Sequence, residues 1–308
     1  MMEPTAVNDK KLTEGMLEVG SQFAVQIKAK AFFTFLDSIP EPDILKGLGF
    51  DGTELILVIR EKAKLKLANS LGFRHISIPP VTLSRMGQIK TAMIIAFSQR
   101  MLDTGDTVVF MVGPVSGSLD TMVVMRVGDE WEMFHTINQP RITEHIKRVV
   151  FEQTLTIALE LAAEGREGKP VGALLVIGDH RNVMQHRAQN IINPFKGYSE
   201  KVRNVLDEGM RDTVKNFAKL DGAFIIKGNG VIVSAGSHLK TVKPPMPLPQ
   251  GLGSRHAAAA GITATTKSIA LTLSESTGTV RIWRRGQVIT EIERPSPSLE
   301  HGPLSGVD

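Results

Sequence analysis

The 308-residue sequence contains no cysteine. Disulfides, cysteine-based zinc sites, iron–sulfur clusters and thiol nucleophiles are thereby excluded. Flat polar aromatics are scarce: two Trp and one Tyr leave few stacking platforms for single-stranded nucleic acid. The formal charge of +4 is mild and its cations are spread along the chain, so an anionic ligand is permitted and nucleic acid is not demanded. No apolar run approaches the ~18 residues of a membrane span, and Met1–Leu12 is polar, without the apolar core of a signal. A soluble, cytoplasmic protein is the expectation.

What is present is ordinary globular material, 42% apolar and 22% charged, at a length that suits two domains. Residues 1–12 read as a flexible N-terminus. From Thr13 to Leu36 the residues Met16, Val19, Phe23, Ile27, Ala31 and Phe35 recur near helical spacing, which predicts one amphipathic helix stopped by Pro40 and Pro42. Strands at Glu54–Ile59, Arg74–Ile78, Asp106–Val112 and Thr121–Val127 alternate with helices at Glu61–Leu71 and Gly87–Leu102. That alternation predicts an α/β domain over 13–138, a mostly parallel sheet in three layers. The turn Gly113–Asp120 reads either as a phosphate-holding loop or as a plain surface connection. Glu130–Arg141, polar and carrying Pro140, reads as a linker.

A second unit, 143–292, opens with a long helix, Thr143–Gly165. Val171–Gly178 is a strong buried-strand signal, Asp179–Asn182 a polar turn, and Asn190–Tyr198 irregular. Ser199 reads as the cap of a helix marked by Val202, Val205, Leu206, Met210, Val214, Phe217 and Leu220, which delivers Asp221 at its end. Ala223–Ile226 and Val231–Ser234 form a hairpin around Asn229-Gly230. Lys240–Gly253, rich in proline, reads as a surface loop. Ser268–Ser274 and Thr279–Arg284 make a second hairpin, Val288–Ile292 a last strand, and 293–308 a disordered tail. The second unit is thus read as α+β with a mixed sheet.

Two stretches carry the chemistry. Asp221, before Gly222 and a rigid apolar strand, is either a turn residue or a hard oxygen donor suited to Mg²⁺ or Mn²⁺. Gly253-Ser254-Arg255-His256 runs from a glycine-rich loop into a helix, where free amides and the dipole favour an anion. Cations in a first turn are electrostatically misplaced unless offset by a bound polyphosphate or by a neighbouring carboxylate, and the sequence leaves both open. Ser274 ends a strand and could bond a phosphate or ribose. Gly172 could let a base approach closely. His180, His186 and His238 show no metal-ligand spacing and read as surface residues.

Gly105–Thr121 resembles the closing segment of the pyruvate kinase C-terminal domain, a likeness covering about Leu45–Val127. In that family the equivalent Gly/Ser loop can hold an allosteric phosphate. No pyruvate kinase active-site motif accompanies it, so the likeness implies a reused scaffold without kinase activity. Farther on, Gly172–Asp179, Asp221-Gly222-Ala223 and Arg255-His256 stand in the order and surroundings of the diadenylate cyclase (DisA-N) domain, and the pairing with a pyruvate kinase-like domain resembles the archaeal type. The resemblance implies condensation of two ATP into cyclic di-AMP and two pyrophosphates, between domains that face each other in a homo-oligomer. It implies that Asp221 binds the divalent cation, Mn²⁺ or Mg²⁺, and helps activate the ribose 3′-hydroxyl. Gly222 and Ala223 would approach ribose and phosphates, Leu239 would sit against adenine, Ser254, Arg255 and His256 would hold the triphosphate, and Ser274 would reach its end. Many members continue Arg-His with a second Arg where Ala257 stands. Lys227, Lys240 or Lys243 are possible substitutes. A nucleotide-binding sensor with weakened chemistry, or a structural hub assembled by the N-terminal domain, are the rival readings.

Overall fold

The computed structural model describes residues 9–115, 117–128, 144–165, 169–218, 221–240 and 252–296. Its first element, α1 (Asp9–Gln26), stops well short of the expected Leu36. Lys28 is left-handed at φ 55°, and the amides of Lys28 and Ala29 bond back to the carbonyls of Val25 and Ala24. This is a Schellman cap built on lysine. Ala31–Phe35 is instead strand β1, buried at every position. A strand covered on both faces is apolar at nearly every position, so its residues simply continued the helical count.

The rest of this half follows the reading closely: β2 (Glu54–Ile59), α2 (Leu65–Leu71), β3 (Arg74–Ser77), α3 (Arg85–Ser98), β4 (Thr107–Val112) and β5 (Thr121–Arg126). The sheet order is β3-β2-β1-β4-β5, parallel except for β5. Neighbouring residues separate into two layers. Phe32, Leu57 and Met111 join Leu17 and Ala68 on the α1–α2 side, whereas Phe33, Val58 and Phe110 join Ile89 and Met93 of α3. The described part of the turn after β4 is tied down. Gln88 donates to the Gly113 carbonyl, Arg60 to that of Val115, and the Leu119 amide to Thr13. The expected linker 130–141 lies outside the described residues.

The second half comprises α4 (Arg148–Glu164), β6 (Ala173–Ile177), α5 (His180–Gln185), β7 (Arg187–Gln189), α6 (Glu208–Phe217), β8 (Ala223–Ile226), β9 (Ile232–Leu239), α7 (Ser254–Thr265), β10 (Ile269–Leu273), β11 (Val280–Arg284) and β12 (Gln287–Ile292). Seven strands lie in the order β12-β11-β10-β6-β8-β9-β7, with β6 and β8 parallel and the other pairs antiparallel. The mixed sheet is as read, with three corrections. The polar turn at 179–182 opens the short helix α5. The helix expected from Ser199 begins at Glu208, capped by Asp207, which accepts the Gly209 amide. Residues before it are turns anchored by an Asn204–Val231 bridge, and Val202 and Leu206 are exposed. Finally, 293–296 is ordered: Arg294 donates to the Ala162 carbonyl and Ser296 bridges Thr82.

The two sheets share a core. α3 packs against α4 and β12, and one buried cluster runs from Phe33 and Ile89 through Leu155 to Leu271 and Ile292. Ser98 and Gln99 donate to Glu152, and Ser84 to Glu293. Among the described residues no helix is long and apolar enough to cross a membrane.

Candidate active site

Gly222 sets up the site. It sits at φ 107°, and a Cβ there would lie 2.5 Å from the carbonyl carbon of Gly236 on β9. The glycine therefore answers to the β9 backbone as well as to its own left-handed conformation. It carries Asp221 just ahead of β8, at the mouth of a cleft of 540 Å³. Leu174, Ala223 and Leu239 give the cleft apolar lining, while Asp221, Ser254 and Arg255 are polar. That mix and volume suit a small organic anion.

Arg255 is the hinge of the arrangement. Its Nη2 donates to Asp221 Oδ1 at 2.8 Å and its Nη1 to Glu275 Oε2 at 3.0 Å. In this form the misplaced helix-start cation is offset by carboxylates. Those carboxylates are open to solvent, with Asp221 90% and Glu275 71% exposed against 26% for Arg255. Exposed pairs contribute about 0–1 kcal/mol each, so a polyphosphate can displace them. Gly172 makes room for this guanidinium: a Cβ there would lie 2.7 Å from Arg255 Nη1. The room expected for a base is occupied by Arg255.

His256 does not share the cleft. Successive helical residues project roughly 100° apart, so the residue between Arg255 and Ala257 faces the sheet. Its ring is buried, 6.1 Å from the Trp283 ring centroid, with Nε2 3.2 Å from Arg281 Nη1. Burial, then the neighbouring Arg281, push its pKa down to about 4, against the opposing pull of Glu291. A cationic His256 holding phosphate does not match this placement. Ser274 is also buried; its hydroxyl contacts Ser276 and accepts the Thr277 amide, closing the β10–β11 turn. Gly253 is the N-cap of α7. Ala257 lines the cleft with a methyl group.

Sequence reasoning missed Glu275, Asn190, Ser237 and His238. Ser237 and His238 line the cleft because β9 runs on past the expected Ser234, and Asn190 lines it directly after β7, the strand paired with that extension. Lys227 is no substitute clamp: it follows β8, at the end opposite Asp221, and pairs with Glu200. Lys243 lies outside the described residues. His180 is half-buried rather than on the surface, and burial and Lys227 lower its pKa. No cluster of three His, Asp or Glu side chains able to hold a metal occurs among the described residues. Asp221 and Glu275, joined by one arginine, are hard oxygen donors of the number that a phosphate-borne Mg²⁺ or Mn²⁺ takes from protein, and the residues fit such an ion.

An acid-and-arginine mouth over an apolar cleft in an α/β protein suits a nucleotide, with an apolar base and anionic phosphates. Residues 160–288 match the family described as "DisA bacterial checkpoint controller nucleotide-binding", and residues 12–134 match "Probable sensor domain DacZ_P". A diadenylate cyclase of Methanocaldococcus jannaschii is 32% identical over 305 residues, covering 90% of this chain and 96% of that protein. One of Haloferax volcanii is 36% identical over 200 residues, covering 64% and 72%. The chain belongs to the diadenylate cyclase family. A pyruvate kinase of Cryptosporidium parvum aligns at a TM-score of 0.30 with 13% identity, over 41% of this chain and 24% of that one, a likeness that carries no argument.

Proposed function

We propose that the chain condenses two ATP into cyclic di-AMP and two pyrophosphates, the reactants being brought together by two subunits facing each other across their clefts. We assign this chemistry to a unit spanning 143–292 and a sensing or assembly role to 13–138. The carrying observation is the 2.8 Å contact between Asp221 and Arg255 at the mouth of the cleft. A carboxylate and a guanidinium this close together support the reading that one triphosphate engages both, Asp221 as oxygen donor and Arg255 as phosphate clamp.

In this reading Leu239 and Leu174 receive the adenine. Arg255 exchanges its carboxylates for phosphate oxygens, joined by Ser254 and the first amides of α7. Asp221, released, would hold the divalent cation and would accept a hydrogen bond from the 3′-hydroxyl. A cation bound there would neutralise phosphate charge and lower the cost of ionising that hydroxyl. The 3′-oxygen attacks the α-phosphorus in line, the bond to the β-phosphate oxygen breaks, and pyrophosphate leaves. The hydroxyl proton passes to Asp221 or water. The same step from the second ATP closes the ring. Each cleft holds one ATP, and a two-fold product requires a two-fold pair of clefts.

The test is incubation with ATP and Mn²⁺ or Mg²⁺, with cyclic di-AMP measured for wild type and D221N. D221N should bind ATP and lose at least ~10²-fold in rate. A D221N protein making product at the wild-type rate would remove Asp221 from the mechanism.

A further inference from the structure

The buried face of the α7 mouth meets Arg281, on β11, through His256. Its guanidinium is fully directed. Nε donates to Glu291 Oε1 at 2.7 Å and Nη2 to Glu291 Oε2 at 3.2 Å, a cross-strand fork onto β12. Nη1 is left for His256 Nε2 at 3.2 Å. Arginine has no acceptor, so Nε2 must be the accepting nitrogen and the proton must sit on Nδ1. That Nδ1 is buried with no hydrogen-bond partner among the described residues, so the contact at Nε2 is the one that orients the ring.

We infer that Arg281 is a positioning residue for the cyclase reaction: it fixes His256 as the Nδ1–H tautomer and so anchors the first turn of α7, from which Arg255 reaches the cleft. The inference rests on the function proposed above. Protonating His256 would set an Nε2–H against the guanidinium and break the contact. The charged groups facing the ring from its neighbours are Arg281 on β11, Glu291 on β12 and Arg255 on α7. Removing Arg281 takes away an opposing charge and leaves Glu291 to favour the imidazolium.

The experiment uses the full chain with wild type, R281M and R281Q, the last keeping an N–H donor without the charge. Nitrogen-15 NMR of the histidine rings reads tautomer and titration without substrate. Wild type should show His256 neutral, Nδ1–H, at about pH 6. R281M should mix tautomers, titrate closer to ordinary histidine, and lose ~10-fold in kcat/KM for ATP, the loss growing as pH falls. R281Q should restore the tautomer and most of the rate. Unchanged ring signals in R281M would overturn the proposal, as would unchanged kcat/KM across the pH range. Loss of rate that R281Q fails to restore, with the tautomer intact, would reduce Arg281 to a structural role and also overturn it. Because the ring signals need no turnover, an inactive wild type would count against the proposed function and not against this contact.

Discussion

At the scale of single residues, Arg255 and His256 show how adjacent positions divide. Both stand in a helix start, where positive charge is unfavourable. Arg255 is accommodated by two exposed carboxylates, His256 by staying neutral. The second solution has a measurable consequence. With a folded pKa of about 4 against the ordinary 6.5 of a free imidazole, the unfolded chain binds more protons between those limits. This stability is fully present above the unfolded pKa and is lost as pH falls towards the folded one, by roughly 3 kcal/mol at most. Thermal melts should therefore drop more steeply between pH 6.5 and 4 in wild type than in H256Q. Parallel curves would place the charge of His256 elsewhere than in its buried setting.

At the scale of elements, two glycines separate catalysis from folding. A methyl on Gly172 meets the mobile end of Arg255, whereas one on Gly222 meets the Gly236 backbone at a left-handed φ. G172A should fold with a stability within ~1 kcal/mol of wild type, and lose activity because Arg255 is displaced. G222A should lose ~2 kcal/mol or more of stability, since neither strand can give way. Denaturant melts alongside the cyclase assay distinguish them; equal stability loss in both would refute the distinction. Most elements were legible because their signals are local: Gly72 at φ 77° closing the helix that ends at Leu71, and Asn229-Gly230 turning β8 into β9, whereas the cap Ser84, which starts α3 two residues before the expected Gly87, went unread. The failures were non-local. β1 looked helical because burial on both faces leaves all its positions but Thr34 apolar, so no period-2 alternation shows. The length of β9 depends on pairing with β7, which no spacing reveals. Glu275 looked like a turn residue because its partner is 20 positions away in α7.

At the scale of the whole molecule, the shared core beneath α3 binds β12 to the N-terminal sheet, and Arg281 is linked to β12 through Glu291. A change in the N-terminal half thus has a packed route towards the α7 mouth. Each chain carries one such cleft in the proposed reaction, while the proposed product joins two nucleotides. The most direct test is the rate of cyclic di-AMP formation per subunit, followed on dilution alongside the molecular mass in solution. The account predicts that the rate per subunit falls as the assembly dissociates, and that D221N subunits added in excess suppress the wild type. A constant rate per subunit down to concentrations where only monomers remain would contradict it.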